Sequence, residues 1–237
     1  MAFVVSFSCF VAFVVGLLPG RTVDLGPQVD PLRALVIDLG LLLALPVARA
    51  TMATLHPRLA PFGAAPKPAT RSTELLVAAA WLAFLVWGWR PLPEPVWQTE
   101  SPWLFAALAG LCAFGWILAV WATFWIDHFE LAGLRQVAGF WANRPYRRVS
   151  FQVEGAYRFV RHPMMLGVLL GLWATPSMTV GHLVLAAVLS AYVVVWSALE
   201  ERQLAAELGE PYRRYLVRVP AFLPRLRPRQ RGGLRRR

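Results

Sequence analysis

Two short stretches of the chain combine charges in a way that chemistry on a small polar molecule would use. Tyr157-Arg158-Phe159-Val160-Arg161-His162-Pro163, followed by Gly167, carries cations immediately before a proline. Glu200-Glu201-Arg202-Gln203-Leu204 carries paired carboxylates. Between them lies an apolar stretch, Met164 to Leu199, with no charged residue and with Thr175, Pro176, Ser177 and Gly181 near its middle. A stretch that long, broken there, is expected to fold back as a helical hairpin, which returns Arg161 and His162 to face Glu200 and Glu201. Cations and carboxylates set together suit a zwitterion with an amino-acid end, and Pro163 starts a helix whose free N–H groups favour anions. A third motif, Gly209-Glu210-Pro211-Tyr212-Arg213-Arg214-Tyr215 with Val219-Pro220, follows close behind.

The elements that position these residues read as membrane spans. A crossing helix needs about 20 residues for a hydrocarbon core of about 30 Å. Runs at Ala2 to Leu18, Leu32 to Ala53, Leu75 to Trp89 and Trp103 to Ile126 qualify, and the hairpin adds two more. The expected fold is all-α, a polytopic bundle of about six transmembrane helices, with a C-terminal hairpin and both termini cytoplasmic. The loops agree with the positive-inside rule: with that topology, 21 of the 24 basic residues fall on one face, and only Arg21, Arg33 and Arg90 on the other. Trp89, Trp97, Trp103 and Trp125 stand near span ends, where interfacial aromatics are expected.

Composition fits the same reading. Of 237 residues, 57% are hydrophobic and 16% charged, too greasy for an ordinary soluble domain and far from disorder. The net charge of +11 suggests nucleic acid, but seven arginines crowd into Arg225 to Arg237 without interleaved aromatics, so no nucleic-acid partner is expected. That tail suits anionic membrane lipid instead. Residues 1–224 are expected to form one membrane domain, with a C-terminal cofactor core at 154–224 and an Arg-rich cytoplasmic tail at 225–237. Cys9 and Cys112 lack metal or disulfide spacing, so no metal is expected. No sequence feature sets an oligomeric state.

Arg-His-Pro-x-x-x-Gly followed by Glu-Glu-x-x-Leu resembles the core shared by isoprenylcysteine carboxyl methyltransferases and phospholipid N-methyltransferases. Asp127-His128-Phe129-Glu130-Leu131, Trp173-Ala174-Thr175-Pro176, the Glu-Glu pair and Tyr212-Arg213-Arg214-Tyr215 extend the likeness to the bacterial methanethiol S-methyltransferases, over roughly residues 30 to 224. The resemblance implies S-adenosylmethionine as the methyl donor and a small thiol as acceptor, methanethiol becoming dimethyl sulfide, at the cytosolic face of the bacterial inner membrane. It further implies that Arg161, His162 and Pro163 meet the donor's carboxylate, Glu200 or Glu201 its amino group or ribose, and Tyr212 and Tyr215 its adenosine side.

Two positions depart from the family pattern. Met165 stands where a Tyr usually follows the His-Pro pair, and Ala48-Arg49-Ala50 where the second helix usually ends in Gln-His-Ser. These departures keep two alternatives open: a larger lipophilic acceptor, and a non-catalytic membrane protein of the NnrU type linked to denitrification. His128, bordering the cytoplasmic loop, is a candidate base for the thiol. Asp38, a carboxylate inside a span, is a second catalytic candidate by default, its structural alternative being a pair with Arg33 or Arg49. His182 reads as structural. Gly110 and Gly115, with Ala106 and Ala107, suggest close helix contact.

Overall fold

The computed structural model describes residues 2–59, 67–123, 153 and 155–223, with the backbone alone at 49–59 and 67–74. Among the described residues the chain is mainly helical, with one small two-stranded sheet. In order come α1 (Ala2–Val14), α2 (Pro31–Leu59), α3 (Lys67–Gly88), β1 (Pro95–Gln98), α4 (Pro102–Thr123), a short 3-10 turn (Gly155–Arg158), α5 (Pro163–Trp173), β2 (Ser177–Thr179), α6 (Val180–Leu208) and α7 (Glu210–Arg218). The segment 127–152, with His128 and Trp125 beside it, and the tail 225–237 lie outside the described residues.

Among the described residues, three helices are long and apolar enough to cross a membrane: Pro31–Ala48 within α2, α4, and α6. Three shorter apolar helices, Ala2–Val14, Leu75–Gly88 and Pro163–Trp173, accompany them. The outward faces explain the solvent they need. Val4, Val36, Phe84, Trp87, Phe105, Ile117 and Val195 are all exposed large hydrophobics, a surface suited to lipid and costly in water. This is a helical membrane protein.

The hairpin differs from two equal spans. Its first arm, α5, has 11 residues and is about 16 Å long, half a hydrocarbon core. Residues 174–176 leave the helix, and the extended β2 that follows pairs antiparallel with β1, with Trp97 opposite Met178 and Gln98 opposite Ser177. Extended chain covers more than twice the distance per residue that a helix does, so this short segment completes the arm. The long α6 then returns to the level of the α5 start. Its first turn is fixed by Thr179, whose hydroxyl accepts the His182 backbone N–H at 3.2 Å, as an N-cap does. Gly181 N–H donates to Leu92 O at 3.0 Å, tying the same turn to the chain after α3.

Helix α4 packs most closely on α5, because both are notched. A Cβ on Gly115 would lie 2.6 Å from Gly171 N, and one on Gly167 would lie 2.5 Å from Ala119 N and Gly115 O. Gly115 and Ala119 on one helix, Gly167 and Gly171 on the other, are each four apart, the small-residue spacing that lets membrane helices approach backbone to backbone. Gly110, expected to share this role, faces open space, since it lies on a different face of α4 from Gly115.

Trp89 also departs from expectation. It is buried, its indole N–H donates to Val23 O at 3.0 Å, and its ring meets Phe13 edge-on at 6.1 Å. It anchors the core formed by Phe10, Phe13, Leu85, Trp116, Leu172 and Leu185. The loop between α1 and α2, exposed over most of its length but buried at Val23, supplies the carbonyl that its N–H needs, so the ring is held inside rather than at the lipid interface. Trp103, by contrast, is 86% exposed at the start of α4, where an interfacial anchor belongs.

Candidate functional site

The hairpin brings its two charged ends together. His162 Nε2 lies 2.8 Å from Glu201 Oε1, so the nitrogen carries the proton and the carboxylate accepts it. Arg161 Nε lies 3.1 Å from the same oxygen. Its N–H is not aimed along that line, however, and Nε is a buried atom without a hydrogen-bond partner among the described residues. The guanidinium is instead fixed through Nη1, which donates to Leu216 O at 3.1 Å. Glu200 stands on the other side of the imidazole, Oε2 at 3.9 Å from His162 Nδ1.

The chain after α7 builds the second wall. Arg161 N–H donates to Pro220 O at 2.8 Å and His162 N–H to Ala221 O at 3.1 Å. Phe222 lays its ring 5.6 Å from the imidazole, tilted by 34°. These contacts fix the backbone of the two residues before Pro163, His162 at φ −126° and ψ 64°, and so hold both side chains beside Glu201 of α6. Pro163 is buried and opens α5 without wasting a backbone donor.

Tyr212 and Tyr215 are both buried on α7, their rings 5.7 Å apart. Tyr215 O–H donates to Tyr157 O at 2.8 Å, clasping α7 to the 3-10 turn that precedes the cluster. Burial pushes the Tyr215 phenol up to about 12, against the pull of Arg161 and with help from Glu201. Tyr212 and Tyr157 are raised beyond the usual phenol range, by burial first and by the nearby glutamates second. All three are therefore neutral hydroxyls beside the ionic cluster at ordinary pH.

Arg161, His162, Pro163, Glu200, Glu201, Tyr212 and Tyr215 are thus one assembly. Asp38 is not part of it. Fully buried in α2, it accepts the Arg90 backbone N–H at 2.9 Å just beyond α3, rather than pairing with Arg33; the side chain of Arg49 lies outside the described residues. That level belongs to the Leu92–Gly181 contact, and Glu201 lies twenty residues further along α6, about 30 Å away at helical rise. His182 is buried and bonded to Leu172 O at 2.9 Å, a strut between the arms. His128 lies outside the described residues. Sequence reasoning missed Leu216, Ala221 and Phe222, which act through backbone carbonyls or an apolar ring and so carry no chemical signature; the nearby Val219-Pro220 was the available signal.

The fold and site define a helical membrane protein with a partly buried ionic cluster walled by α7. No protein-family model matches the chain, and no solved structure matches it. Named relatives do. Methanethiol S-methyltransferase 1 of Bradyrhizobium diazoefficiens is 38% identical over 94% of this chain and 79% of its own. Methanethiol S-methyltransferase 2 of the same organism is 39% identical over 97% and 88%. Methanethiol S-methyltransferase of Mycobacterium tuberculosis is 39% identical over 94% and 92%. The chain belongs to the methanethiol S-methyltransferase family.

Proposed function

We propose that this protein transfers a methyl group from S-adenosylmethionine to methanethiol, forming dimethyl sulfide, and that the ionic cluster at Glu201 holds the donor. The observation that carries the reading is the convergence of Arg161, His162 and Glu201, with the buried Arg161 Nε–H ion-paired to Glu201 but making no hydrogen bond among the described residues. That donor set fits an amino-acid end: the cations suit its carboxylate, and Glu200 and Glu201 its ammonium or ribose. Tyr212 and Tyr215 stand as neutral hydroxyls on the adenosine side. When bound, the donor supplies a methyl group already activated on a sulfonium. The chain's own task is then to hold donor and thiolate in line and keep water out, a proximity and desolvation effect. His128 is proposed as the base that takes the thiol proton.

The proposed topology has six apolar helices in the bilayer and both termini in the cytosol of a bacterium, with the ionic cluster facing the cytosol from the inner membrane. It is supported by the bias of basic residues toward that face. Residues 1–224 are proposed as one domain.

A larger lipophilic acceptor is a second reading, favoured by one observation. A hollow of about 770 Å³, lined by Phe114, Leu118, Trp121, Phe159, Pro163 and Leu166 among others, lies between α4 and the start of α5. Methanethiol, one carbon and one sulfur, needs a small part of it. Purified protein given labelled S-adenosylmethionine and a panel of acceptors tests both. Labelled dimethyl sulfide from methanethiol supports the first reading. Labelling only of thiols with long chains supports the second, and no labelling of any acceptor contradicts both.

A further inference from the structure

A buried hydroxyl on a helix ordinarily finds an acceptor, most simply the carbonyl four residues earlier. Ser190 on α6 does so: its Oγ–H donates to Ala186 O at 2.6 Å, and its oxygen accepts the Trp173 indole N–H at 2.8 Å. Ser197, two turns on, does not. It is 3% exposed, and its Oγ has no hydrogen-bond partner among the described residues. Native proteins rarely leave such an atom unpaired, and each case calls for a cause.

Its position supplies one. Ser197 precedes Glu200 by three residues and Glu201 by four, so it lies one helical turn, about 5.4 Å, deeper in the membrane on the arc between the two carboxylates. Below it the buried stripe of α6 is apolar, through Val193, Leu189 and Leu185. The two arms of the hairpin thus each leave one buried donor without a hydrogen bond among the described residues near Glu201: Arg161 Nε, which is ion-paired to that carboxylate, on one and Ser197 Oγ on the other. Charged groups that match an amino-acid end stand at the outer level. Ser197 is a single neutral donor at the inner level, bordered by aliphatic side chains. A small aliphatic thiolate asks for that combination: aliphatic neighbours for its carbon and one donor for a weakly hydrated sulfur anion.

We propose that the Ser197 hydroxyl binds the acceptor, donating its hydrogen bond to the thiolate sulfur. This rests on the methyl-transfer reading above and adds the residue that recognises the acceptor.

The test compares wild type with Ser197→Ala and Ser197→Thr in four measurements: thermal unfolding, calorimetric binding of S-adenosylmethionine, the KM of methanethiol, and the pH dependence of kcat/KM. The hydroxyl pairs with nothing in the protein, so its removal should leave the melting temperature unchanged or higher. Donor affinity should stay at the wild-type value. The methanethiol KM of Ser197→Ala should rise about tenfold, as expected for losing one hydrogen bond to a charged group. Its kcat/KM should begin to rise only at higher pH, because the thiolate has lost a stabilising donor. Ser197→Thr should restore both. An unchanged methanethiol KM in Ser197→Ala overturns the proposal, and so does weakened donor binding at constant thiol KM. A lowered melting temperature with all kinetic constants intact overturns it as well, by making the hydroxyl structural. A wild type that methylates no thiol would instead remove the reading beneath it.

Discussion

Glu201 Oε1 receives the His162 imidazole at 2.8 Å although 39 residues separate them. The contact joins the return arm of the hairpin to the start of its first arm, and Arg161 shares the same oxygen. Glu201→Ala and His162→Ala should therefore be non-additive. A double-mutant cycle read by thermal unfolding should give a coupling energy of about 1–2 kcal/mol, discounted from a fully buried pair because the groups are partly exposed. Additive effects would mean that the contact does not hold the arms.

The α4–α5 seam gives a sharp contrast between glycines. Gly167→Ala places a methyl 2.5 Å from backbone atoms that cannot yield, and should destabilise the protein by about 1–3 kcal/mol or more. Gly110→Ala meets nothing within 4 Å, and should be neutral or stabilise by up to about 1 kcal/mol through helix propensity. Melting curves in one detergent, run side by side, check both.

The buried tyrosines predict an alkaline limit. Tyr215 rises from the ordinary 10.0 to about 12 on folding, so the folded chain keeps a proton that the unfolded chain releases. The sign follows from linkage: this stability is complete below pH 10 and is lost as pH climbs toward about 12. Tyr215→Phe should flatten part of that decline. It should also cost about 1 kcal/mol at neutral pH, through the lost bond to Tyr157 O. Melting temperature against pH, for wild type and variant, is the measurement.

Asp38 should matter for stability and not for donor binding. Asp38→Ala leaves the Arg90 N–H without its acceptor, an expected loss of about 1–3 kcal/mol. The donor affinity of whatever fraction folds should equal that of wild type. A donor affinity lowered by Asp38→Ala would place the residue in the site after all.

Much of this was legible in the sequence, for identifiable reasons. The paired charges at Arg161-His162 and Glu200-Glu201 flank an uncharged run with one Pro- and Gly-marked break, and a chain that must satisfy its backbone in lipid has few ways to fold such a run. The length of α5 was not legible, because hydropathy does not distinguish an 11-residue helix plus an extended segment from one longer helix; the β1 partner decides that, eighty residues earlier in the chain. Trp89 failed for a similar reason. An aromatic at a span end can serve the interface or the core, and only the position of Val23 O selects the core. Asp38 looked catalytic because a carboxylate in a span is costly, yet the Arg90 backbone N–H that meets it carries no side-chain signal. Ser197 was invisible, since a serine in an apolar helix becomes informative only once its lack of a partner is seen.

The central claim is that the ionic cluster at Glu201 is the donor site of a membrane methyltransferase. Its most direct test is calorimetric titration of S-adenosylmethionine into purified wild type, His162→Ala, Glu201→Gln and Asp38→Asn, each first shown to be folded. Wild type and Asp38→Asn should bind with equal affinity, while His162→Ala and Glu201→Gln should each lose about tenfold or more, the scale of one charge-assisted hydrogen bond. Equal affinity in all four proteins, or no binding by wild type, would contradict the account.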